Sequence, residues 1–167
     1  MTFSPRTWTV GEIVTDVMLN EQIRDQFNSM FDAWTAYTPA WTAATTNPVL
    51  GNGSINGRYM KIGRTCHVNI ELTMGSTTTY GSGIWNFALP FTAAAAVGSR
   101  IGNAQAAIPA GSRVPGQTVV TAGGSTFSTF FPASTSVSFL SSGSAPVPFT
   151  WASTHQLRAS LVYETAA

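Results

Sequence analysis

The sequence is poor in charged residues. Charged side chains make up 9% of its 167 residues, against about 25% in a typical soluble domain. Lys61 is the single lysine, and the formal net charge is +1. Because nucleic-acid-binding domains present a strongly basic face, we expect no nucleic-acid partner.

Cysteine and long apolar runs are also scarce. Cys66 is the single cysteine, which rules out an internal disulfide and a cysteine metal cluster and fits synthesis in a reducing cytoplasm. No apolar run approaches the roughly 20 residues of a membrane-spanning helix, and the N-terminus lacks the pattern of a secretory signal. We therefore expect neither a membrane span nor a cleaved leader.

Side chains that perform catalysis are few, and their spacing suits no known type of site. His67 and His155 are far apart, and Cys66 and His67, as strand neighbours, would point to opposite faces. Beyond residue 36 only Glu71 and Glu164 are acidic, whereas a glycosidase needs two carboxylates about 5–10 Å apart. The sequence predicts no catalytic residue, no metal site and no cofactor, and therefore a protein that is not an enzyme.

Composition divides the chain near Tyr37. Five of the seven acidic residues precede it, in a segment rich in helix formers. After it Thr, Ser, Gly, Val and aromatic residues dominate, which favour strands and turns. The length fits one domain with a short appendage. We predict an anchoring arm over 1–14, an oligomerisation helix over 15–36 and a β-sandwich head over 37–167.

Residues 15–34 have the pattern of one amphipathic helix with a cap at Thr15 or Asp16. Its apolar residues recur at spacings of four, three and four, as in a coiled-coil seam: Ile23, Phe27, Met30 and Trp34. Extended one position toward the N-terminus, the same seam includes Asn20. A polar residue at such a position commonly fixes the register and the oligomer state of a coiled coil. Periodicity alone fits two arrangements equally, with the stripe packed on its own head or against other copies.

The segment ahead of the helix is too small to form a core of its own. Trp8 and Val10 alternate there as in an extended strand. An arm that docks on a larger assembly and a free tail are the two interpretations, and Trp8 favours the arm. Trp8 and Val10 are therefore the candidate anchoring residues.

The rest of the chain predicts a mainly β head, an antiparallel sandwich or jelly roll. Residues 66–74 alternate apolar and polar side chains over their whole length, which is typical of a strand with one buried face. Further strands are expected at 84–89, 117–121, 127–131, 137–140, 149–152 and 157–163. Asn-Gly pairs at 52–53 and 56–57 predict turns, and 102–124 suggests a long connection. Short strands about ten residues apart, separated by Gly, Pro and Ser, favour this architecture.

Aromatic residues in a β-protein with little charge raise the question of glycan binding. Trp85 and Trp151 are in phase with apolar neighbours, so we expect them in the core. Tyr80 lies in a turn rich in Ser, Thr and Gly and is the candidate ring for stacking on a sugar. A ring that covers one end of the sandwich explains Tyr80 equally well.

Several stretches of this chain resemble one known family. TWTVGEIVT at 7–15, with Leu19-Asn20 and IRD at 23–25, resembles the N-terminal motif of small virion structural proteins of actinobacterial tailed phages. WTAYTPAWT at 34–42 resembles the linker that follows. GNGSINGRY at 51–59, Ile62-Gly63, the alternating strand and GIWNFALP at 83–90 resemble the β-domain, and LVYET at 161–165 fits its end. Residues 91–145 match no part of that family.

The resemblance implies a non-enzymatic virion protein made in the host cytoplasm. It implies a homotrimeric tail-fibre or minor tail component, with helices bundled at the axis and the head presented to host-surface glycan. Its partners would be other virion proteins, and the apolar stripe would then pack between copies. A trimeric capsid-decorating protein that stabilises the shell fits the same arm, helix and head. A virion-associated glycan hydrolase is the third interpretation, and the shortage of carboxylates disfavours it.

Overall fold

The computed structural model describes residues 6–95, 98, 100–109, 111–132, 140–145 and 147–166. Within these residues the chain forms ten β-strands in one curled antiparallel sheet, preceded by a short helical segment. The predicted fold class, a mainly antiparallel β head after one N-terminal helix, is confirmed.

The helical segment consists of α1 (Asp16–Leu19), a wider π-helical turn (Asn20–Arg24) and α2 (Asp25–Ser29). Thr15 caps it as expected, because its hydroxyl accepts a hydrogen bond from the Met18 backbone N–H at 3.3 Å. The segment is shorter than the predicted 15–34. The chain turns at Met30 and Phe31 and becomes extended from Thr35, since it must pair there with a strand of the head.

The strands follow in chain order. They are β1 (Thr35–Tyr37), β2 (Trp41–Ala43), β3 (Ser54–Ile62), β4 (Thr65–Thr73), β5 (Trp85–Ala88), β6 (Arg100–Ala107), β7 (Arg113–Val120), β8 (Thr126–Pro132), β9 (Leu140–Ser142) and β10 (Gln156–Glu164). The order in the sheet is β1-β3-β4-β10-β6-β7-β8-β5-β2, and β9 also pairs with β8.

The two edges of this sheet lie close together. β1 and β2 stand at opposite ends of the strand order, yet only residues 38–40 join them in the chain. The Ala88 N–H donates to the Ala40 carbonyl at 2.9 Å, and the Tyr37 hydroxyl donates to the Ala88 carbonyl at 3.4 Å. The sheet therefore curls until its edges meet and encloses the core.

The core contains the residues that alternation assigned to it. Cys66, Val68, Ile70 and Leu72 on β4 are buried, as are Leu157, Ala159, Leu161 and Tyr163 on β10. Trp85 and Trp151 are buried as predicted, with ring centroids 5.3 Å apart, and Trp41 meets Trp85 edge-on at 5.0 Å. An observed strand overlaps each of the predicted ranges 66–74, 84–89, 117–121, 127–131 and 157–163. Of the strand predicted at 137–140, residues 137–139 lie outside the described residues.

The turn predicted at Asn56-Gly57 is wrong, because both residues lie within β3. A Cβ atom on Gly57 would lie 2.6 Å from Cε1 of Tyr37. The glycine is therefore explained by the ring that lies on it rather than by a turn. The other predicted turn, at 52–53, is present, with the Gly53 N–H donating to the Leu50 carbonyl at 3.0 Å.

The long connection predicted at 102–124 is also wrong. β6 and β7 form an antiparallel pair over this stretch, from Arg100 opposite Val120 to Ala107 opposite Arg113. β6 is rich in Ala and Gly and therefore lacks a clear apolar alternation. A Cβ atom on Gly102 would lie 2.5 Å from the Ser160 carbonyl oxygen, so the small residue there permits a close approach of β10. The expected strand at 149–152 is absent, although Trp151 is buried.

Candidate functional sites

The apolar face of the helical segment is exposed. Ile23, Phe27 and Met30 are 46%, 60% and 47% exposed. Among the described residues the segment makes no substantial contact with any strand. These contacts give no support to packing of the stripe on the head of the same chain.

The π-helical turn alters the expected seam. The Asp25 N–H donates to the Asn20 carbonyl, an i to i+5 bond in place of the α-helical i to i+4 bond. Each residue in a π-helical turn rotates the chain about the helix axis by a smaller angle than in an α-helix. Asn20 and Ile23 are therefore further apart around the helix than in a regular heptad. The continuous part of the observed seam is Ile23, Phe27 and Met30, and the role of Asn20 in fixing register stays a prediction.

Trp34, the last residue of the predicted seam, lies beyond the helix. The Arg58 guanidinium lies over its ring, 5.9 Å from the centroid, so Trp34 packs at the edge of the head. Pairing of Thr35 with Tyr59 fixes this position. The helical spacing alone gave no sign of this pairing.

The arm is not continuously extended. The chain turns at Val10 and Gly11, and the Glu12 N–H donates to the Thr9 carbonyl at 3.2 Å. Trp8 is 44% exposed and Val10 is fully exposed. Both side chains are available to a partner, and virion anchoring by them stays a prediction.

Tyr80 covers part of the core rather than standing free. Its ring is half-buried against the core cluster, and its carbonyl accepts the indole N–H of Trp85 at 2.9 Å. Burial raises the pKa of its hydroxyl above the ordinary value. This arrangement matches a ring that closes one end of the head, and glycan contact by Tyr80 stays a prediction.

The two carboxylates of the head are held apart by the strand register. Glu71 lies opposite Arg158, and Glu164 lies opposite Thr65. Thr65 and Glu71 are six residues apart on β4, or about 20 Å, beyond the separation of a glycosidase pair. Each also forms an ion pair, Glu71 with Arg158 at 3.0 Å and Glu164 with Arg64 at 3.2 Å. Within one chain they cannot act together as an acid and a nucleophile.

The buried ionisable groups are held in their neutral forms. Burial raises the pKa of the Cys66 thiol, which disfavours the nucleophilic thiolate. Burial also raises the pKa values of Tyr37 and Tyr163, and the Tyr163 hydroxyl donates to the Phe91 carbonyl at 2.8 Å. These three groups serve packing and internal hydrogen bonding.

The described part of the chain contains no cluster of three or more His, Cys, Asp or Glu side chains placed to hold a metal ion. In the same residues, no helix has both the length and the apolar character needed to cross a bilayer.

A concave polar surface lies on the outer side of the sheet. It forms a groove of about 900 Å³ over strands β1, β3, β4, β10 and β6. Its lining includes amide, hydroxyl, guanidinium and carboxylate groups. Sequence reasoning missed this surface, because its residues come from five strands that are distant in the chain.

Comparison with known proteins identifies a relative among phage proteins. No protein-family model matches the chain, and no solved structure matches it. Over 142 residues, 82% of this chain, it is 30% identical to "Mu-like prophage FluMu defective tail fiber protein" from Haemophilus influenzae. This chain is similar to a phage tail-fibre protein. It spans 21% of the length of that relative, so it corresponds to one segment of the longer protein. The actinobacterial source implied by the resemblance stays a prediction.

Proposed function

We propose that this chain is a non-enzymatic structural component of a phage tail, located in the virion, that assembles as a homotrimer through its helical segment. The arm attaches the trimer to other virion proteins, and the head faces outward, where it adheres to the host surface. Similarity to a tail-fibre protein supports the tail in preference to the capsid shell.

The observation that carries this proposal is the uncovered apolar row at Ile23, Phe27 and Met30. Burial of one such side chain contributes about 1.5–3 kcal/mol. A row of three, repeated on each copy, therefore favours association. The residues at 23, 27 and 30 retain the four-and-three spacing of a coiled-coil seam, which suits parallel helices around an axis.

The arrangement of charge is consistent with this assembly. Residues 1–36 carry five of the seven acidic residues, whereas the head carries six of the eight basic ones. Arg58 on β3 already reaches back to Trp34 at the end of the N-terminal segment. Helices bundled above the heads would keep these oppositely charged regions adjacent.

Light scattering over a concentration series tests the assembly. We expect the wild-type chain to have three times the mass of the 17.7 kDa monomer. Phe27→Asp with Met30→Asp should reduce the mass to that of one chain, because a carboxylate in the seam would be buried without a partner.

Val49→Asp is the matched control. Val49 is 59% exposed on the head and Phe27 is 60% exposed on the helix, so both substitutions place a charge at an equally exposed apolar position. The control should leave the trimer intact. A wild-type chain that stays monomeric at every concentration, or a double variant of unchanged mass, would exclude the helical seam.

A further inference from the structure

The outer face of the central strands carries two aligned rows of polar side chains. Strand register places Asn56, Glu71, Arg158 and Gln105 in one row across β3, β4, β10 and β6. The second row, two residues along each strand, is Arg58, Asn69, Ser160 and Asn103. The rows are therefore about 7 Å apart and each extends about 14 Å across the sheet.

These rows form the floor of the groove of about 900 Å³. The solvated face of an antiparallel sheet is normally polar, so polarity alone is unremarkable. Here the face is also concave, and β1 adds Ala36, Tyr37 and Thr38 along one side. A volume near the upper end of ligand pockets, roughly 300–1,000 Å³, has room for several linked rings.

Arg158 is fixed at the middle of the floor. Its Nε donates to Glu71 Oε2 at 3.0 Å and its second guanidinium nitrogen donates to Gln156 Oε1 at 2.6 Å. Both members of the ion pair remain about half exposed. The guanidinium and the carboxylate are thus held in place before any ligand arrives, which lowers the entropy that binding would cost.

The amides beside this pair are available to a ligand. Within the described residues, the side chains of Asn56, Asn69, Asn103 and Gln105 have no protein hydrogen-bond partner. Each amide both donates and accepts hydrogen bonds. The floor therefore offers both donors and acceptors, at the residue spacing that the strand register sets.

The chemistry of the groove limits the class of occupant. Arg58, Arg158 and Glu71 leave a net charge of about +1 in the lining, too little to bind a polyphosphate chain. The outward side chains at the centre of the groove are polar or charged, whereas the centre of a subunit interface is typically apolar. Strands β3, β4, β10 and β6 each have a partner on both sides, so a peptide cannot add to a free edge there.

We propose that this groove binds an oligosaccharide, with sugar hydroxyls hydrogen-bonded to the amides, Ser160 and the Arg158–Glu71 pair. Hydroxyl groups both donate and accept hydrogen bonds, so they match mixed amide, guanidinium and carboxylate groups better than an anion or an apolar chain does. The ring of Tyr37 packs toward the core against Tyr59, so recognition in the groove rests on hydrogen bonds rather than on stacking. This assignment rests on the proposed outward-facing head and places its glycan contact in the groove instead of at Tyr80.

Binding of the full-length protein to a printed array of bacterial surface oligosaccharides, both neutral and acidic, tests the proposal. We expect binding to at least one neutral chain. Titration with that oligosaccharide should show weaker binding, by about tenfold or more, for each of two variants. One is Arg158→Ala, and the other is the double variant Asn69→Ala with Gln105→Ala.

Two controls locate the site. Gln117 lies opposite Asn103 in the strand register but outside the groove lining. Gln117→Ala removes its exposed amide and should leave binding unchanged. Tyr80→Ala should also leave binding unchanged. Absence of binding to every oligosaccharide at millimolar concentration would overturn the proposal, as would groove variants that bind like the wild type.

Light scattering distinguishes the oligosaccharide proposal from the proposal that the helical segment assembles the trimer. The groove variants should retain the oligomer mass of the wild type. The double variant Phe27→Asp with Met30→Asp should have the mass of one chain but retain oligosaccharide binding per chain. Groove variants that dissociate the oligomer would identify this face as a subunit contact and overturn the oligosaccharide assignment.

Discussion

The N-terminal segment and the head use the same kinds of apolar residue in opposite ways. The head buries most of its large apolar side chains, and Trp85, Phe87, Leu72 and Leu157 have no exposed surface. The segment before Thr35 exposes Val10, Ile13, Val17, Phe27 and Phe31 to at least half of their surface. The head therefore closes on its own core, whereas the segment leaves its apolar side chains exposed.

The difference arises from the number of strands or helices that are available to cover one another's apolar faces. Ten strands in the described residues curl until both edges of the sheet meet, so the inward apolar faces of the strands cover one another. A single short helix has no second element to cover its stripe. Most helical stability in proteins comes from packing of such a face, so under the proposed assembly we expect the helix to be stabilised by association.

The largest effect that tests this comparison is expected from Trp85→Ala. Trp85 packs against Trp41 and Trp151 and donates to the Tyr80 carbonyl, so the change leaves a cavity and should lower the free energy of unfolding by about 3–5 kcal/mol. Urea unfolding followed by circular dichroism measures this loss.

Phe27→Ala is the matched aromatic change in the other region. It should leave unfolding of the head within about 0.5 kcal/mol of the wild type and instead alter the concentration dependence of the oligomer mass. Equal destabilisation of the head by both changes would show that the segment belongs to the core.

Gly57→Ala should have an intermediate effect. The added Cβ would lie 2.6 Å from the Tyr37 ring, which would displace β1 from β3 and cost about 1–3 kcal/mol through overpacking. Thermal or urea unfolding checks the loss. Asn56→Ala, on the outer face of the same strand, should change stability by less than about 0.5 kcal/mol, and an equal loss there would contradict the role of the ring.

Thr15→Ala should have the smallest effect and should act on the N-terminal segment alone. Removal of the N-cap hydroxyl costs about 1 kcal/mol, seen as a lower helical signal in circular dichroism with unchanged unfolding of the sheet. Ser153→Ala, which removes a hydroxyl at an exposed turn of the head, should change neither signal. Destabilisation of the sheet by Thr15→Ala would show that the helix supports the head.

Strong local patterns in the sequence predicted the parts of the fold that depend only on residues close together in the chain. The period-two runs of β4 and β10 identified their buried residues correctly, and the Thr15 cap was also correct. The helix extent, the Asn56-Gly57 turn and the connection at 102–124 were wrong. In each case pairing with a distant strand overrode the local signal: β1 with β3, Gly57 beneath Tyr37, and β6 against β10.

The candidate sites divide in the same way. The sequence alone located the apolar row at Ile23, Phe27 and Met30, because periodicity of 3.6 is a local property of a helix, and its role as a seam stays a prediction. The sequence did not predict the polar groove, because its side chains come from four strands and become neighbours only through strand register. One row consists of Asn56, Glu71, Arg158 and Gln105.

The sequence by itself determined the scarcity of charge, the single cysteine, the β-rich head and the amphipathic helix, because composition and short periodicities set these directly. The tertiary structure decided that the sheet curls until its edges meet, that the helix leaves its apolar face uncovered, and that two polar rows line a groove. These features depend on which strands pair and in what register, and that choice is made by contacts between residues far apart in the chain.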